Sequence, residues 1–173
     1  MIDTEVKLYF AYGSNMNLNQ MTLRCPDAEV VDTVRLEGYR LAFCMNGGGR
    51  GVATILPEPH SFVEGVLWRI SEQDEKSLDR YEGFPKLYGK EAVIVSGKDG
   101  ISHEVMAYTM NSPYRDTPAL PSQTYLEGIL RGCIQNEIGV VPVMEAVRRI
   151  WQEAPQKGRR QKSFRVQKGR KER

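Results

Sequence analysis

The chain has 173 residues, 40% hydrophobic and 27% charged, with a net charge of +2. That length supports one domain with its own core, and no apolar run approaches the ~18 residues that cross a membrane as a helix. The opening M-I-D-T-E-V has no basic segment followed by an apolar one, so a secretory signal is not expected and the expected compartment is the cytoplasm.

Three cysteines, Cys25, Cys44 and Cys133, stand at no paired spacing. They argue against a disulfide framework or a structural zinc site. The charge is uneven. Residues 155–173 carry nine basic residues and one acid, whereas residues 1–154 have a formal charge of −6. The expected organisation is therefore one domain over 1–154 and a basic tail over 155–173.

Five apolar residues, Leu8 to Tyr12, run straight into Gly13-Ser14-Asn15. This pattern predicts a buried strand that stops at a tight turn. A helix over 18–24 would aim its N-terminus at that turn. Residues 29–35 and 39–45 read as strands separated by Leu36-Glu37-Gly38. The glycine-rich run 46–51 has neither a G-K-[ST] end nor a G-x-G-x-x-G pattern, so it is expected to be a flexible loop beside a pocket. Strands are expected over 52–56, ended by Pro57 and Pro59, and over 62–70.

Ser71 and Asp74 form a capping box that starts an amphipathic helix. Gly83 and Pro85 end it. Residues 87–96 and 101–110 flank G-K-D-G, a hairpin signal. After a proline-rich connection, Ser122 caps a helix whose core face holds Leu126, Ile129, Leu130, Cys133, Ile134 and Ile138, with Gly139 at its end. Pro142 opens a last helix with Val143, Val147, Ile150 and Trp151 turned inward. Strands and helices interleave irregularly, so the class is α+β and a regular βαβ array is excluded.

Two places offer chemistry. The turn at Gly13-Ser14-Asn15 presents small polar groups and backbone N–H groups that can hold a carboxylate or an oxyanion. Glu82 follows Leu78 by four residues and shares its inward face. It also sits at the negative end of its helix. Burial and the dipole both disfavour its charged form, which predicts a raised pKa suited to accepting and donating a proton. Ser14 in a triad with His60 or His103 is an open alternative.

Tyr12-Gly13-Ser14-Asn15, then Glu82-Gly83 followed by Tyr88, then Pro121-Ser122 with Tyr125 resemble, in that order, the motifs of the gamma-glutamylcyclotransferase family. The resemblance runs from Leu8 to Trp151. It implies a mixed, curled sheet or small barrel with three to four helices packed outside. It also implies conversion of a gamma-glutamyl amine or amino acid to 5-oxoproline and a free amine, with Glu82 as general acid/base. Tyr12, Gly13, Ser14, Asn15, Tyr88 and Tyr125 would bind substrate, with no metal or cofactor. Arg50 and Arg115 are candidates for a second carboxylate or phosphate on the substrate. The competing reading is a non-catalytic binding module on the same fold. Its basic tail, which lies outside the family's pattern, would contact nucleic acid or an acidic partner.

Overall fold

The computed structural model describes residues 6–152. The basic segment 155–173, and with it the expectation of a nucleic-acid or acidic partner, lies outside the described residues. Among the described residues, no helix is long and apolar enough to cross a membrane.

Strand β1 (Lys7–Ala11) is the short apolar run expected from the sequence. It pairs antiparallel with the end of β3 (Gly51–Ile70), from Lys7 opposite Ile70 to Ala11 opposite Val66. It also touches β5 (Ser102–Met110) in parallel, Tyr9 opposite Met106. Strand β2 (Glu29–Met45) forms a long hairpin with β3. Strand β4 (Tyr88–Gly97) pairs with β5 and meets β2 at Val34–Gly97 and Arg35–Ser96. The sheet closes in the order β1-β3-β2-β4-β5. Phe10, Val66, Leu67, Val95 and Ala107 are fully buried in its core.

The strand breaks expected from Leu36-Glu37-Gly38 and from Pro57 and Pro59 are bends within continuous strands. The ladder passes from Glu37–Phe62 to Tyr39–Pro57, leaving residues 58–61 bulged opposite Gly38. Gly38 (φ 80°) and His60 (φ 64°) take the left-handed backbone that this corner needs. Glycine and proline thus mark a bulge that turns both strands together, rather than their ends.

Helix α1 (Leu18–Arg24) is capped by Asn17, whose Oδ1 accepts from Gln20 N at 3.1 Å. Helix α2 (Glu72–Glu82) starts at the expected capping box. Ser71 Oγ accepts from Asp74 N, and Asp74 Oδ2 accepts from Ser71 N, each at 3.1 Å. It stops at Gly83, which is left-handed at φ 65°.

Helix α3 (Gln123–Gln135) begins at Ser122 as expected but ends before Gly139, with Asn136 at its C-cap. Ile138 is buried from the turn that follows, while Ile134 is 71% exposed. Residues 141–152 form a last helix, α4. Val143 and Ala146 face inward, but Trp151 is 57% exposed, against expectation. The inward face of α4 is set by positions 143 and 146, and Trp151 falls off that stripe.

Candidate active site

The turn after β1 is built to be rigid. Ser14–Met16 form a single 3-10 turn in which Met16 N donates to Gly13 O. Helix α3 clamps it from outside. Asn136 Nδ2 donates to Met16 O at 2.8 Å, and Asn17 Nδ2 donates to Gly128 O at 3.0 Å. Gly132 permits that approach, because a Cβ there would meet Asn17 N at 2.8 Å. A Cβ on Gly13 would stand 3.0 Å from Ala53 Cβ and 3.8 Å from the Tyr125 hydroxyl. Glycine at this position keeps the space beside the strand end open.

That space is a cavity of about 290 Å³. The seven motif residues expected to act or to bind substrate line it: Tyr12, Gly13, Ser14, Asn15, Glu82, Tyr88 and Tyr125. Arg50 stands at it too, whereas Arg115 lines a separate hollow with Arg40 and Arg149. Neither His60 nor His103 reaches it. Ser14 Oγ instead shares a hydrogen bond with the Tyr81 hydroxyl at 2.9 Å.

Glu82 ends α2 with its carboxyl packed among protein atoms, although the residue as a whole is only partly buried. Its Oε1 accepts from Asn15 Nδ2 at 3.1 Å. Burial pushes the carboxyl up to about 7, against the Arg24 guanidinium and the Asn15 carboxamide, which both favour the charged form. The phenols of Tyr9, Tyr12, Tyr88, Tyr108 and Tyr125 are held above their ordinary range, chiefly by burial. Among these shifted groups, Glu82 is the one brought close to neutral pH.

The hydroxyls are committed in different ways. Tyr12 donates to Tyr108 O, and Tyr88 donates to Ala53 O. Tyr125 accepts from Ala53 N at 3.0 Å, so its own O–H remains to be donated. Tyr108 donates to Asp79 at 2.6 Å. The Asn15 carboxamide is spent within the protein. Its Nδ2 donates to Glu82 and, at 3.0 Å, to the Tyr9 hydroxyl, and its Oδ1 accepts from Arg24 at 2.8 Å.

Sequence reasoning missed Tyr9, Arg24, Tyr81, Ala53 and Tyr108. Tyr81 carries a signal in hindsight, since it directly precedes Glu82. Ala53 carries none, because its contribution is a backbone N–H and C=O.

A closed α+β barrel with an acid, a tight polar turn and a ring of phenols at one end defines a small-molecule site. The pattern of the gamma-glutamyl cyclotransferase, AIG2-like family matches residues 9–127. Gamma-glutamylcyclotransferase of Bos taurus is 34% identical over 141 residues, which are 78% of this chain and 73% of that protein. Gamma-glutamylcyclotransferase of Homo sapiens is 33% identical over 141 residues, with the same coverage of 78% and 73%. A solved structure named gamma-glutamyl cyclotransferase superposes with a TM-score of 0.72 at 31% identity, covering 79% of this chain and 83% of that one. The chain belongs to the gamma-glutamyl cyclotransferase family, and the fold and enzyme class expected from its motifs hold.

Proposed function

We propose that the protein converts a gamma-glutamyl amino acid to 5-oxoproline and a free amino acid, with Glu82 carrying the proton. One observation supports this above the rest: the Gly13 turn and the Glu82 carboxyl, almost seventy residues apart, line a single cavity.

The reaction is intramolecular. The substrate's α-amine and γ-carbonyl belong to one molecule, so holding the bent conformer supplies much of the acceleration. The α-ammonium must lose a proton before it can attack. Ionised Glu82 takes it, and the amine nitrogen bonds to the γ-carbon while the carbonyl electrons move to oxygen. The carboxylic acid returns this proton to the leaving nitrogen, whose bond to the γ-carbon breaks as the tetrahedral intermediate collapses. The re-ionised Glu82 then takes the second proton from the ring nitrogen and passes it to the departing amine, which leaves as an ammonium. Base and acid are the same group in succession, which suits a pKa of about 7.

The N–H groups of Ser14 and Asn15 open the 3-10 turn and have no acceptor within it. They suit the α-carboxylate or the developing oxyanion. Tyr125 adds an O–H donor, and Tyr88 and Tyr12 offer oxygen lone pairs. The Asn15 side chain is directed at Glu82, and only its backbone N–H is offered to substrate.

Arg50 supports a carboxylate on the leaving half. Its backbone is pinned at the β2–β3 turn, where Asn46 Oδ1 accepts from Arg50 N at 3.1 Å. It precedes Ala53 by three residues, about 10 Å of extended chain at ~3.3 Å each. That separates it from the Gly13 turn, which lies against Ala53. The test is 5-oxoproline release from gamma-glutamyl amino acids and from neutral gamma-glutamyl amines. Wild type should prefer the amino acids, and Arg50→Ala should lose about tenfold or more on those alone, as expected for one charge-assisted contact. Absence of 5-oxoproline from every compound would overturn the activity; equal losses on both classes would overturn the role of Arg50.

A further inference from the structure

Arg24 is not among the motif residues, yet it holds the group that holds Glu82. Its guanidinium donates to Asn15 Oδ1 at 2.8 Å, and its central carbon stands over the Tyr81 ring, 3.6 Å from the ring centre. Tyr81 is in turn bonded to Ser14 at 2.9 Å. An arginine can only donate, so it fixes which end of the carboxamide faces it. With Oδ1 on Arg24, the amide must turn its NH2 toward Glu82 and Tyr9, as observed. With that lock removed, the amide is free to rotate and set its oxygen against the Glu82 carboxyl.

We propose that Arg24 is a positioning residue for catalysis: it locks the Asn15 carboxamide in the orientation that donates to Glu82. The inference rests on the reading of Glu82 as proton carrier, but its geometry stands apart from it. The groups facing Glu82 are Tyr9 and Tyr12 at β1, Asn15 at the turn, Tyr81 on its own helix, Tyr88 on β4, Tyr108 on β5 and Tyr125 on α3. All are neutral. The cations are Arg24, whose field acts on Glu82, and Arg50, which lines the same cavity. Of the two, Arg24 alone is joined to Glu82 through a shared hydrogen-bond partner.

The test is a carbon-13 NMR titration of the Glu82 carboxyl in wild type, Arg24→Gln and Arg24→Lys, alongside kcat/KM against pH. Removing a nearby positive charge disfavours the carboxylate, so the Glu82 midpoint in Arg24→Gln should rise by about one pH unit. The ascending limb of kcat/KM should move up with it, and activity should recover partly at high pH. Arg24→Lys keeps the charge but loses the planar fork, so its midpoint should rise less; it decides the matter if the glutamine variant does not fold. An unchanged Glu82 midpoint in the folded variants, or an equal loss of activity at every pH, would overturn the proposal. A shifted midpoint in a protein that never releases 5-oxoproline would leave the lock intact and remove only the catalytic reading.

Discussion

A carboxyl group held near neutrality by burial costs the fold free energy whenever it is ionised. Glu82 binds its proton up to about pH 7 in the folded chain, against an ordinary value of 4.5. Between those values the folded state holds a proton that the unfolded state has released. Stability therefore falls as pH rises through that window and levels off above it. The full effect is on the order of 3 kcal/mol, at 1.36 kcal/mol per pH unit. Urea unfolding of Glu82→Gln should show little difference from wild type at pH 4.5 and a gain of that order at pH 8, with 5-oxoproline release abolished. A stability difference independent of pH would contradict the raised pKa. Glu82 was legible in the sequence because Leu78, Gly83 and Pro85 fix its place on a helix. Arg24 was not, because its partner Asn15 follows a strand end, and no periodicity relates a turn to the last residue of the next helix.

The element that carries the acid is α2, and its two ends answer different questions. Ser71→Ala removes the capping box at the end far from the cavity. It should cost about 1 kcal/mol and leave kcat nearly unchanged. Gly83→Ala forces a Cβ into a left-handed position and should cost about 1–2 kcal/mol. Because Gly83 follows Glu82 directly, that substitution should also lower kcat. Denaturant midpoints and 5-oxoproline rates for the two variants check this, and a kcat loss in Ser71→Ala as large as in Gly83→Ala would count against the geometry given for the helix end. The caps of α2 were readable since capping is local chemistry. The end of α3 was misplaced for the opposite reason. Glu137, at φ 57°, makes the left-handed turn that Gly139 was expected to make. The β2 and β3 breaks were misread because a bulge and a strand end share the same residues. Only the pairing of Glu37 with Phe62 and Tyr39 with Pro57 tells them apart.

Across the whole molecule, the cavity exists because the barrel brings distant pieces to one end. The β1 turn, the end of α2, the start of β4 and the first turn of α3 all meet around Ala53 of β3. Closure itself had no local sign in the sequence; it was implied only by the likeness of the motifs. Its seam between β2 and β4 is just two residue pairs, Val34–Gly97 and Arg35–Ser96. That seam lies away from the residues lining the cavity, whereas the other short seam, the β1–β5 pair Tyr9–Met106, lies beside it, since Tyr9 lines the cavity.

The most direct measurement is a crystal structure of the protein with 5-oxoproline bound. The product should sit in the cavity with its carboxylate on the N–H groups of Ser14 and Asn15. Its ring nitrogen should lie within hydrogen-bonding reach, about 3 Å, of the Glu82 carboxyl. A product molecule bound at the Gly13 turn with Glu82 turned away from the ring, or bound only outside the cavity, would contradict the account.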